Sequence, residues 1–298
     1  MLHIGKAGGG TIGQVFKLWN TSAAQSCHPD PCLERLRNAK RVFVALRDPV
    51  DRFVSAFNWR SLLLCKKHNE TRSRSPVAPA HFPESRCHDL PVDDEERSVV
   101  HQKYGSNVNE FAVALCSNRS EAEEDLSKIR QARHSLSDWL SSSSLWYDPD
   151  AERSKLLPLV LEPGYNFTKM IGHQIVHAVT ESFNPSTAIR QQIAYTENMR
   201  QKHPAGFQTN VATLHSSKRP RISWSADLTT FGKCCLSRYF RGDYEIIDRI
   251  SETSCVADDN GECELATKSI SERRYQYFKD LSANDFDFCS SMVVAESV

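Results

Sequence analysis

No stretch of this 298-residue sequence approaches the roughly 20 consecutive apolar residues that cross a bilayer as a helix, and its start lacks the charged-then-apolar order of a secretion signal. Net charge is lacking too. The 37 Lys and Arg residues balance 37 Asp and Glu, so overall charge indicates neither a nucleic-acid partner nor a membrane surface. Internal repeats are absent. The kinase and ATPase loop G-x-x-x-x-G-K-[ST] is missing: the one glycine-rich loop carries its lysine ahead of the glycines. No acidic cluster calls for Mg²⁺, and the expectation is that the protein needs no metal. What is present is ordinary for a globular protein, 40% hydrophobic and 25% charged, and long enough for one main domain.

Two short motifs stand out. The first is His3-Ile4-Gly5-Lys6-Ala7-Gly8-Gly9-Gly10-Thr11. Leu2-His3-Ile4 reads as a strand end, the glycines allow a tight turn with N–H groups pointing inward, and Thr11 to Trp19 opens a helix whose positive dipole end faces the same point. Lys6 adds a full charge and Thr11 a hydroxyl. The bland alternative is a glycine-rich turn with a solvated lysine. The second motif, Arg47-Asp48-Pro49-Val50-Asp51-Arg52-Phe53-Val54-Ser55, follows a predicted buried strand over Arg41 to Leu46, and Pro49 suits the first turn of a helix. Arg47 thereby lies at the strand's carboxyl end, where ligands of open α/β sheets collect, with Ser55 two turns on. Asp48 and Arg52 read better as an ion-pair cluster supporting the scaffold. Together the motifs describe two anion sites about one βαβ unit apart, and hence a ligand phosphorylated at both ends.

The loop "HIGKAGGGTI" resembles the phosphosulfate-binding loop of sulfotransferases that use 3′-phosphoadenosine 5′-phosphosulfate (PAPS), and "RVFVALRDPVDRFVSAFNW" is similar to their strand-and-helix motif for the 3′-phosphate. The nearest likeness is to Golgi carbohydrate sulfotransferases, including the heparan sulfate 2-O and 6-O types. Weaker echoes lie in Tyr195 to Met199 and in Leu236 to Glu245, the latter resembling a late helix ending in a Tyr and an Asp-Tyr pair. The resemblance covers about a third of the chain. It implies an α/β fold, three-layered and P-loop-like, with a central, mostly parallel sheet flanked by helices. It also implies that Lys6, Gly8, Gly9, Gly10 and Thr11 hold the 5′-phosphosulfate, and Arg47 and Ser55 the 3′-phosphate. Family loops more often read Pro-Lys-Thr-Gly-Gly-Thr, so Gly5, Ala7 and Gly10 here remove a rigid proline and two hydroxyls.

The implied reaction moves a sulfuryl group from PAPS to a hydroxyl, most simply of a carbohydrate, with Lys6 stabilising charge on the leaving oxygen. A general base must take the hydroxyl proton. His28 lies in the part of the chain where related enzymes carry one, and His68 and Glu34 are the runners-up. Lys218, Arg219 and Arg221 form a late basic cluster that reads as a solvated loop or a phosphate contact. Two other classes compete: a catalytically degenerate glycan-binding module, suggested by Gly5 and Ala7, and another nucleotide-dependent transferase or kinase using ATP and Mg²⁺.

Ten cysteines, even in number and mostly beside polar loops, fit disulfides formed in an oxidising compartment. Cys27 with Cys32 and Cys255 with Cys263 are spaced to close short loops. Zinc at Cys27-His28-Pro29-Asp30-Pro31-Cys32 lacks a second ligand pair. Sequons at Asn20, Asn69, Asn118 and Asn166 point with the cysteines to the secretory lumen, and the resemblance specifies the Golgi. Because the first strand starts almost at residue 1, the reading expects an N-terminally incomplete chain whose missing part carries a type II membrane anchor; a cytosolic protein rich in free thiols is the alternative.

The remaining organisation is read as a sulfotransferase domain over 1–252 and a polar, cysteine-containing extension over 253–298, with a helical stretch near Ser271 to Leu281. Asn69 to Val92 is a proline-rich loop suited to covering an acceptor. Helices are predicted over Glu95 to Cys116, Ser120 to Leu140, Pro185 to Gln201, Asp227 to Phe240 and Tyr244 to Ile250, and strands over Leu156 to Leu161 and Phe167 to Ile171.

Overall fold

Val42 to Leu46 is apolar at every position and rich in β-branched residues, a pattern that suits a strand covered on both faces. The computed structural model describes residues 42–64, 94–140, 147–148, 153–154, 156–161, 228–255, 261–279 and 281–282. In chain order these form strand β1 (Val42–Leu46), helix α1 (Pro49–Leu63), a short helix α2 (Asp94–Arg97) running into a π-helical turn (Ser98–Lys103), α3 (Val108–Ser117), α4 (Arg119–Lys128) and α5 (Leu136–Leu140). Strands β2 (Tyr147–Asp148), β3 (Arg153–Ser154) and β4 (Leu156–Val160) follow, then α6 (Thr230–Tyr239), α7 (Arg241–Ser254) and α8 (Glu262–Lys279).

The chain divides into two interleaved units, one of Met1–Pro49, His134–Ile222 and Phe240–Gln276, the other of Val50–Arg133, Ser223–Tyr239 and Tyr277–Val298. In the first, β1 pairs in parallel with β4, Val42 opposite Leu156 through Leu46 opposite Val160, and the Leu161 N–H donates to the Leu46 carbonyl at 2.8 Å. This parallel pair is all that the described residues contain of the multi-stranded sheet predicted from sequence; β2 and β3 form a separate antiparallel pair. Helix α7 packs on β4 and α5 through Tyr244, Ile247 and Ile250, apolar at a spacing of three and fully buried. Glu262–Lys279, within the stretch assigned by sequence to a polar extension, forms a helix that buries Cys263, Ala266 and Ile270. It is tied to α7 by the Cys255–Cys263 disulfide, by Thr267 Oγ1 donating to Ser251 Oγ at 2.7 Å and by Ser271 Oγ donating to Asp248 Oδ1 at 2.5 Å.

The second unit is built around rings. Phe111 of α3 has its centroid 5.4 Å from Phe53, 5.7 Å from Phe57 and 4.7 Å from Tyr104, and all four side chains are buried. Helix α3 also packs on α6, to which the Cys116–Cys235 disulfide bonds it. Asn109 Oδ1 accepts from the Thr229 N–H at 2.9 Å and its hydroxyl at 2.8 Å beside Gly232, where a Cβ would stand 2.4 Å from that oxygen.

The single helix expected over Glu95 to Cys116 is a correction. Gly105 and Ser106 both adopt positive φ, 57° and 63°, which ends one helix and starts another, with the Asn107 carbonyl of the side chain accepting the Asn109 N–H at 2.9 Å as a cap. Ser120 to Leu140 is likewise divided: α4 ends at Lys128 and α5 begins at Leu136.

Candidate functional site

The strand-to-helix turn at Arg47 is the part of the proposed site that the described residues contain. Strand β1 ends at Leu46, Arg47 and Asp48 follow, and Pro49 opens α1 with its φ already set for a helix and no N–H to leave unsatisfied. Arg47 is half-buried at the strand's carboxyl end. Asp48 is fully buried, and Asp51, Arg52 and Ser55 in the first two turns of α1 are buried as well. A guanidinium at a strand end can grip an anion with paired N–H donors, and a helical hydroxyl can add one more.

Asp48 has a partner far along the chain. Tyr244 Oη donates to Asp48 Oδ2 at 3.3 Å, the Tyr244 ring is fully buried, and the Arg274 guanidinium of α8 lies 4.8 Å from the centre of that ring. Next to Tyr244, Asp243 Oδ1 accepts the Ser137 N–H of α5 at 2.9 Å. The Asp-Tyr pair singled out in the sequence thus has two tasks on one helix start: Asp243 holds α5, and Tyr244 holds the turn after β1.

No protein-family model, curated protein or solved structure matches this chain. Lys6, Gly8, Gly9, Gly10, Thr11 and His28 lie outside the described residues, as do His68, Glu34, Lys218, Arg219, Arg221, Tyr195 to Met199, the pair Cys27 and Cys32, and the loop Asn69 to Val92. Among the described residues no three His, Cys, Asp or Glu side chains gather as metal ligands, and no helix is long and apolar enough to cross a membrane. Of the four sequons, Asn118 is described: it sits exposed between α3 and α4, its side-chain amide donating to Glu121.

Sequence reasoning missed two charged clusters in the second unit. Glu96 is fully buried and takes both arms of Arg60, Nε to Oε1 at 2.7 Å and Nη2 to Oε2 at 2.5 Å, together with the Arg130 N–H at 3.0 Å. Asp125 accepts the Tyr104 hydroxyl at 2.8 Å and the Lys103 ammonium at 2.5 Å. Burial and this carboxylate push the Tyr104 phenol up to about 12, while hydrogen bonds to Asp125 and then Glu121 raise Lys103. Arg238 is shifted downward by burial and then by neighbouring Arg119, whose guanidinium lies 5.9 Å from the Tyr239 ring centre. An arginine inside an apolar helix, as at Arg60, is the signal that could have been followed. Its partner could not be named from spacing.

Proposed function

We propose that this protein is a PAPS-dependent sulfotransferase of the secretory pathway, with a three-layer α/β domain, acting on a hydroxyl of an acceptor, most simply a carbohydrate. The observation that carries the reading is the turn at Arg47: a buried strand in parallel pairing delivers an arginine to its carboxyl end, directly before a helix that opens on proline and carries a buried serine in its second turn. Arg47 and Ser55 supply the donors for the 3′-phosphate, and the Lys6 loop those for the phosphosulfate. In the transfer, the acceptor oxygen forms a bond to sulfur as the bond from sulfur to the bridging phosphate oxygen breaks. The acceptor proton passes to a base, for which His28 is the candidate, and adenosine 3′,5′-bisphosphate leaves.

The test is binding and turnover of the purified chain. Adenosine 3′,5′-bisphosphate should raise the melting temperature without added metal, and Lys6→Ala should remove sulfate transfer from labelled PAPS to a panel of glycans while sparing the fold. Transfer undiminished in Lys6→Ala, or a preference for ATP with Mg²⁺, refutes the reading.

A further inference from the structure

We infer that Tyr244 and Arg274 are positioning residues for the Arg47 turn, setting the preference for a nucleotide that carries a 3′-phosphate. The inference rests on the reading of that turn as the 3′-phosphate site. One connection to Arg47 runs through Asp48, the residue after it, whose carboxylate accepts the Tyr244 hydroxyl. Asp48 is held at both ends of its own short path. Its backbone is restricted to extended conformations by the following Pro49, and its buried carboxylate receives the Tyr244 hydroxyl at 3.3 Å. With the side chain anchored and the backbone restricted, the Cα of Arg47, one residue before, has little freedom of direction.

The anchor is itself fixed. Asp243, adjacent to Tyr244, receives the Ser137 N–H at 2.9 Å, so the start of α7 cannot rotate without breaking that bond. On the other side Arg274 sits 4.8 Å from the centre of the Tyr244 ring, where a cation draws electron density from the ring and favours the hydroxyl as donor. A separation of 3.3 Å is long for an O–H···O bond, so this contact adds little to stability. Its effect is directional. A displaced guanidinium at an anion site loses aligned hydrogen bonds long before it loses its charge.

The experiment is calorimetric titration of the full chain with two nucleotides, adenosine 3′,5′-bisphosphate and adenosine 5′-monophosphate, which differ by the 3′-phosphate. The native chain should favour the bisphosphate, and Tyr244→Phe should reduce that preference about tenfold, the loss of one aligned charge-assisted bond, with 5′-monophosphate affinity unchanged. Arg274→Met should reduce it in the same sense and Arg274→Lys should restore it; this half-buried position carries the test if Tyr244→Phe fails to fold. Full preference retained in Tyr244→Phe or Arg274→Met overturns the inference, as does equal loss of both nucleotides, which marks general damage. If Arg47→Ala abolishes the preference while those variants keep it, the functional reading stands and only the positioning role falls. A native chain indifferent to the 3′-phosphate overturns both.

Discussion

Tyr104 shows how one residue's surroundings become a property of the whole fold. Burial first, and the Asp125 carboxylate second, move its phenol from 10.0 up to about 12, so the folded state favours the neutral form. A group whose pKa is raised on folding contributes stability that is complete below the unfolded pKa and disappears as pH climbs through the folded one. Lys103, raised by its bonds to Asp125 and Glu121, acts in the same direction. The chain should therefore lose stability between about pH 10 and pH 12, and Tyr104→Phe should flatten that loss. Denaturant midpoints across this range check it, together with the disappearance of the last tyrosine to titrate by ultraviolet absorbance. Glu96 belongs to the same scale but answers a different need: a fully buried carboxylate is tolerated because Arg60 and the Arg130 N–H satisfy it.

At the scale of elements, the reversal at Gly105 and Ser106 separates helices that the apolar pattern would have fused. Gly105, at φ 57°, has nothing within 4 Å of where a Cβ would be, so alanine meets no neighbour there and its penalty is wholly that of the backbone. Gly105→Ala should cost about 1 kcal/mol, read as a lowered urea midpoint with an unchanged slope. The β1–α1 turn could be read in advance because apolar β-branched residues, then Pro49, leave few alternatives. The break at Ser106 could not, because serine seldom adopts positive φ and only the adjacent glycine hinted at it. In α8 the sequence pattern marks a helix only near Ser271 to Leu281, because the buried face of its first half, Cys263, Ala266, Thr267 and Ile270, holds a single large apolar side chain and prints no strong apolar stripe.

At the scale of the molecule, the strand, turn and helix start around Arg47 were legible because they lie within a few residues of one another. The contacts that hold them were not. Tyr244 and Asp48 are 196 residues apart, and no periodicity in a single sequence links two such positions. The same holds for Cys116 and Cys235, whereas the Cys255–Cys263 pair closes so short a loop that spacing alone suggested it. A bond closing 119 residues restricts the unfolded chain strongly. Replacing both Cys116 and Cys235 by serine should lower stability by about 2–4 kcal/mol, with peptide mapping under non-reducing conditions showing the link in the native chain and calorimetry reading its loss.

That bond also sets a clock on synthesis. A ribosome adding roughly 5–20 residues per second needs about 6 to 24 s to pass from Cys116 to Cys235. Throughout that interval the Cys116 thiol is already made and its partner does not yet exist, while Cys27, Cys32, Cys65 and Cys87 have been synthesised before it. The unit that contains it is in the same position, because its α6 piece is among the last to emerge. Correct pairing in this chain is a matter of waiting as much as of geometry.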